Sequence, residues 1–133
     1  MPLVIDNSVV IGWHLSRWAT ACLDAVLRAL VNHNAHVPAL WVLEFSNVMR
    51  RALLAKKITE ARYRESLQLQ QGLALTLHAD AGDASENLAL RYPLSGYDAA
   101  CLDLALRMRL PVATADGALR DAAVTCGVGV FVP

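Results

Sequence analysis

A chain of 133 residues is most simply one domain, here 1–133, and its 56% hydrophobic content is ample for a packed core. Its 12 basic and 12 acidic residues leave a formal net charge of +0, which gives no sign of non-specific attraction to nucleic acid. No apolar run reaches the ~18 residues a membrane span requires, and PLVI, with no basic region before it and interrupted at Asp6, does not read as a secretory signal.

Residues 2–5, PLVI, form a short apolar run ended by Asp-Asn-Ser, which predicts a buried strand. SVVIGWHL (8–15) predicts a short helix or turn. RWATACLDAVLRALVNH (17–33) places Cys22, Leu23, Val26, Leu27 and Leu30 at helical spacing, and AHVP (35–38) is short enough for a second strand. Helical patterning resumes over 40–57 and again over 59–73, where Thr59 and Glu60 open the helix. LALTLHA (73–79) alternates as a third strand. Helices follow over 83–93 and 95–109, stopped by Pro93 and Pro111. PVATA (111–115) predicts a fourth strand, 117–127 a last helix and VGVFV (128–132) a last strand. Short apolar strands alternating with helices predict an α/β fold, a parallel sheet with helices on both faces. The three cysteines, Cys22, Cys101 and Cys126, form no CxxC and lie in apolar segments, as expected of reduced core residues in a cytoplasmic protein.

In open α/β sheets functional groups collect beyond the carboxyl ends of the strands. Asp6 follows the first predicted strand, Asp116 the fourth, and Asp98 lies in the first turn of a helix. Each has a plain structural alternative. Asp6 or Ser8 can cap the next helix. Ser95 to Asp98 has capping-box spacing, and Asp116 is a reasonable N-cap. Glu44 is harder to explain away. It lies among Leu40, Trp41, Val42, Leu43, Phe45, Val48 and Met49, and a half-embedded carboxylate is costly unless paired. Arg51 is one candidate partner; a metal or water, with Asn47 beside the site, is the other. Asp103 points ~140° away from Asp98 around the helix and is expected to be a surface charge. Asp121 is a weaker candidate for the same sheet edge. Of the four histidines, His14, His33, His36 and His78, none has metal-ligand spacing, and His33 and His36 are expected to flank a turn in solvent.

Carboxylates gathered at one edge repel unless a cation or a proton intervenes. Hard oxygen donors suit Mg²⁺ or Mn²⁺, and in-line phosphoryl displacement is the chemistry such an ion serves best. The chain contains no GxxxxGK[ST], GxSxG or HExxH pattern.

VIDNSV (4–9), PALWVLEFSNVMRRA (38–52), SGYDAACLDLAL (95–106) and LPVATADGALRDAA (110–123) together resemble the PIN-domain ribonucleases, in particular the toxins of bacterial VapBC-type toxin–antitoxin pairs. The resemblance runs through almost the whole chain in order. It implies a three-layer α/β/α fold around about five parallel strands. It also implies Mg²⁺- or Mn²⁺-dependent RNA cleavage with Asp6, Glu44, Asp98 and Asp116 as catalytic metal ligands. Ser8, Asn47 and Thr114 match the polar neighbours of those acids. The implied partners are an RNA substrate, a cognate antitoxin and a second copy of the chain, with no membrane.

The segment RRALLAKKITEARYR (50–64) carries six basic residues against Glu60. It is either a solvated helical hairpin, a positive rim beside the acids that contacts phosphates without reading sequence, or a groove for a partner helix around Leu53, Leu54 and Ile58. Two rival functions stay open. One is a catalytically weak PIN-like module that binds RNA or protein. The other is an acid-site phosphatase, although DNSVV lacks the second Asp of a DxDx[TV] motif.

Overall fold

The computed structural model describes residues 2–15, 20–30, 34–79 and 82–131, with side chains for all of these except 13–15 and 20–23. The elements run β1 (Leu3–Ile5), α1 (Asn7–Leu15), α2 (Thr20–Ala29), β2 (Ala35–Pro38), α3 (Trp41–Leu54), α4 (Glu60–Gly72), β3 (Leu75–His78), α5 (Asp83–Arg91), α6 (Gly96–Met108), β4 (Val112–Ala113) and α7 (Gly117–Thr125). This follows the predicted order. The stretch at 8–15 is a helix rather than a turn. The predicted helix ends 17–19 and 31–33, together with His33, lie outside the described residues, as do the side chains of His14 and Cys22.

The strands form one parallel sheet in the order β3-β2-β1-β4. The predicted fifth strand is reduced, among the described residues, to one parallel bridge between Val130 and Val112. Residue 132, its predicted end, is not among them.

Period-two alternation along β1 divides the core into two layers. Leu3 and Ile5 join Val9, Val26, Val37, Trp41, Phe45 and Met49 on one face. Val4, between them, joins Leu102, Ala105, Val112, Leu119 and Ala123 on the other. A strand covered on both faces must be apolar at every position, and β1 is fully buried. The α/β/α layering follows: α1 to α3 pack on one face, α6 and α7 on the other.

Helix α6 is nearly enclosed, with every residue from Ala99 to Ala105 buried. Ser95 caps its start by accepting a hydrogen bond from the Asp98 amide. Arg109, in the left-handed region at φ 55°, ends it, just before Pro111.

The chain winds from β1 outward through β2 to β3, then returns to place β4 on the other side of β1. The winding direction therefore reverses at β1. A crevice opens at the carboxyl ends of strands where this occurs, and Asp6 leaves β1 at that point.

Candidate active site

Asp6 is only 2% exposed. Its Oδ2 accepts hydrogen bonds from the hydroxyls of Ser8 and, at 2.8 Å, Thr114. Each hydroxyl in turn accepts a backbone amide. Ala115 N–H donates to Ser8 at 2.9 Å, and Asp116 N–H donates to Thr114 at 3.0 Å. The two hydroxyls, 3.1 Å from each other, are both held against Asp6, and the loop after β4 is tied to the loop after β1. Arg120 adds a bond to the Thr114 carbonyl at 3.2 Å.

Asp116 is the N-cap of α7, its Oδ1 accepting the Ala118 amide at 2.9 Å. The capping expectation is met, and it does not exclude a second role. The Asp116 carboxyl also lies close enough to that of Asp98 to act on it. The pKa of Asp98 is pushed up to about 8. Burial is the largest cause, followed by the charge of Asp6, the neighbouring carboxyl of Asp116 and the charge of Glu44. Three acids from three other parts of the chain thus act on one carboxyl.

Glu44 takes its hydrogen bond from Asn7, not from Arg51. Asn7 Nδ2 donates to Glu44 Oε1 and, at 3.0 Å, to the Trp41 carbonyl, which clamps the start of α1 to the start of α3. Burial raises the pKa of Glu44; the Asn7 bond opposes this and the charge of Asp6 adds to it.

The sequence matches the PIN domain family over residues 3–124. The chain belongs to the PIN-domain family. Its fold is also similar to three solved structures. PAE2754 from Pyrobaculum aerophilum shares 17% identity at a TM-score of 0.69, over 92% of this chain and 79% of that one. VapBC2 from Rickettsia felis, bound to a DNA fragment from its promoter, shares 8% at 0.67, over 98% of both chains. A toxin–antitoxin complex from Klebsiella pneumoniae shares 20% at 0.52, over 86% of both. No curated protein matches the chain.

The side chains gathered around Asp98 in this PIN domain, those of Asp6, Glu44 and Asp116, are carboxylates, and oxygen donors of that kind fit a hard divalent cation. Among the described residues, no three His, Cys, Asp or Glu side chains are drawn up as a ligand set around one point. Repelling carboxylates stay apart until a cation or a proton offsets them, and here the raised pKa of Asp98 favours its protonated form.

Several expectations need correction. Asp103 is not a surface charge. It is buried at 5% exposure and paired with Arg107 Nε at 2.7 Å. Asn47 is exposed and makes no hydrogen bond to the site; Asn7, which the sequence reading passed over as part of a strand-ending turn, holds Glu44 instead. Asp121 is exposed and is not among the groups acting on Asp98. His36 is not in a solvated turn. It lies in β2 with Nδ1 2.8 Å from His78 Nε2, and burial, then His78, lowers its pKa.

The basic hairpin does not flank the acids. Glu44 opens α3 and Lys56 follows its end, so the two are ~18 Å apart along the helix axis at 1.5 Å per residue. Arg62 and Arg64 there pair with Glu65 and Glu60. Of Leu53, Leu54 and Ile58 only Leu54 is exposed, and Ile58 packs against the core.

Proposed function

We propose that this PIN domain is a metal-dependent endoribonuclease that hydrolyses RNA phosphodiester bonds, acting in the cytoplasm as the toxin of a toxin–antitoxin pair. The observation that carries the reading is the convergence of Asp6, Glu44 and Asp116 on the carboxyl of Asp98. PIN domains are generally nucleases, which supports hydrolysis.

Asp6, Glu44, Asp98 and Asp116 would hold one or two Mg²⁺ or Mn²⁺ ions. When bound, such an ion polarises the phosphate and lowers the pKa of the attacking water. The remaining work belongs to the chain. Ser8 and Thr114 fix the Asp6 carboxylate, and Asn7 fixes Glu44. Asp98, whose pKa is raised to about 8, must lose its proton to serve as a ligand.

The fold similarity to the Klebsiella toxin–antitoxin complex supports a cognate antitoxin as partner. Exposed Leu40, at the N-cap of α3, and Leu43 and Leu54 within it offer apolar surface for it and for a second copy of the chain in a homodimer. Arg50, Arg51, Lys56 and Lys57, exposed at the far end of α3, would contact phosphates of a longer RNA.

The test is RNA cleavage with and without Mg²⁺ or Mn²⁺. Activity should require the metal and stop with chelator. Asp6→Asn or Asp98→Asn should lose at least ~10²-fold, the scale of a missing electrostatic contact. Near-wild-type cleavage by either folded variant would overturn the assignment. Cleavage of DNA or of a phosphomonoester in preference to RNA would redirect it.

A further inference from the structure

The basic residues between positions 50 and 64 are not all engaged by neighbouring acids. Arg62 and Arg64 are paired with Glu65 and Glu60. Arg50, Arg51, Lys56 and Lys57 are exposed and form no ion pair among the described residues. The backbone beneath the two lysines is fixed. Lys56 sits in the left-handed region at φ 58°. The amides of Lys56 and Lys57 close α3 on the carbonyls of Leu53 and Ala52, at 3.0 and 2.9 Å, a helix end of the Schellman kind. A cavity of about 670 Å³ opens there, and its charged lining residues, Lys56, Lys57 and Arg62, are all cations.

The other end of the same helix belongs to the acids. Glu44 lies in the first turn of α3 and acts on Asp98. At ~100° per residue, Glu44, Asn47, Val48 and Arg51 share one face of α3. None of the four is buried, so that face is open from the acid cluster to Arg51. No acidic residue lies between Glu44 and Glu60. At ~1.5 Å per residue, Arg51 is ~10 Å from Glu44 along the axis and Lys56 is ~18 Å away.

We infer that this face of α3 is a track for the RNA backbone: a strand whose scissile phosphate lies at the acids runs along it, held by Arg51 and then by Lys56 and Lys57. The spacing suits both ends. At ~10 Å or more, about a Debye length, the cations hold phosphates without competing with a metal ion for the carboxylates. Contacts of this kind position a strand without reading its sequence. The substrate class is therefore a single strand long enough to span the face. An acidic protein segment would match the cations but has no phosphate to set at the acids; one RNA strand occupies both ends.

The inference rests on the ribonuclease reading, but its test requires no cleavage. The probes are labelled 2′-O-methyl oligonucleotides of 3 and 12 residues, with fluorescence anisotropy as the readout in Mg²⁺ and electrophoresis to check that they stay intact. At ~3.4 Å per stacked nucleotide the short one spans about 10 Å and does not reach from Glu44 to Lys56. Engaging both ends at once multiplies affinity by about 10²-fold or more, so the 12-mer should bind at least about a hundredfold more tightly. In the triple variant Arg51→Gln, Lys56→Gln, Lys57→Gln this advantage should fall to about tenfold, what the extra registers of a longer strand supply without a second site. Each phosphate contact adds ~0.7 to the slope of log affinity against log salt, so the slope for the 12-mer should be shallower by about 2 in the variant. The three residues are exposed, and thermal melting checks the fold. Arg51→Gln alone should lower the slope by ~0.7 and serves if the triple variant is unstable. Equal slopes and equal length advantages in wild type and variant overturn the track. So does a glutamate 12-mer that binds more tightly than the RNA and is lost with the same substitutions, which assigns the cations to an acidic protein partner. Cleavage of unmodified RNA, with binding that the variant leaves unaltered, removes the track alone. Length-dependent binding that the substitutions abolish, without cleavage, removes the nuclease reading alone.

Discussion

Asp98 and Asp116 sit at the starts of two different helices, yet the Asp116 carboxyl is among the groups that raise the pKa of Asp98. Neither helix is alone responsible. Ser95 sets the first turn of α6, and Thr114, by accepting the Asp116 amide, sets the entry to α7. Two ordinary helix starts are aimed at one point, and the result is a carboxyl that keeps its proton near neutral pH.

That proton gives the metal-free protein a characteristic dependence on pH. The Asp98 pKa is raised from 3.8 to about 8 on folding, so between these values the folded state binds more protons than the unfolded one. The stabilising contribution of Asp98 is complete below pH ~4 and is lost as pH rises through ~8. Glu44, also raised, acts in the same direction. Thermal melting in chelator should show stability falling from pH 5 to pH 8, and Asp98→Asn should flatten that fall. A steeper fall in the variant would contradict the assignment. Mg²⁺ binding near pH 7 should release protons, which calorimetry in buffers of different ionisation enthalpy measures.

Asp116→Asn separates the two roles of that residue. Asparagine caps a helix about as well as aspartate, so α7 should keep its start. The substitution removes like charge beside Asp98, and the metal-free variant should be more stable than wild type by about 1 kcal/mol. Wild type should gain up to roughly 2.7 kcal/mol at a Mg²⁺ concentration 100 times the dissociation constant, and the variant clearly less. Equal melting temperatures in chelator together with equal Mg²⁺ shifts would leave Asp116 a cap and nothing more.

Asn7→Ala tests the clamp between α1 and α3. It removes the donor to Glu44 and to the Trp41 carbonyl from a buried position. Leaving such acceptors unpaired costs about 1–3 kcal/mol, measurable by chemical denaturation. Cleavage should fall further than stability explains, because Glu44 is no longer held. A folded variant with full activity would show that Glu44 needs no orientation.

The positions of these residues show what is legible in a linear chain. Asp6 and Asp116 stood out because each ends an apolar run, and a strand-end carboxylate is a local signal. Glu44 stood out as a charge among apolar neighbours. The sheet order did not, because the pairing of Val4 with both His36 and Val112 joins segments far apart and leaves no mark in either. Asn7 was passed over because a polar residue after a strand reads as a turn, and its partner lies 37 positions away. Asp103 was misjudged by a sound angle and an unsound assumption. It does point away from Asp98, but α6 is enclosed on nearly all sides, so away from the site is not toward water.

Asp103 therefore yields a contrasting prediction. Arg107 pairs with it from a position that is 44% exposed, while the Asp103 side chain is 7% exposed. Arg107→Ala strands a carboxylate in the core. Discounted for the solvent that reaches the guanidinium, the cost should be about 1–2 kcal/mol. Cleavage per folded molecule should be unchanged. A selective loss of activity in this variant would mean that the charge pair on α6 communicates with the site.

The hydroxyls that hold Asp6 belong to residues 106 positions apart, Ser8 and Thr114. β1, which leads into Asp6, is flanked by β2 on one side and by β4 on the other. A ribosome making this protein releases Asp6, Glu44 and Asp98 before the segment that closes the cluster. Until residues 112–116 have emerged and seated beside β1, Asp6 lacks Thr114 and Asp98 lacks Asp116. A nascent chain therefore carries Asp6, Glu44 and Asp98 with no finished site until that later segment has folded against β1.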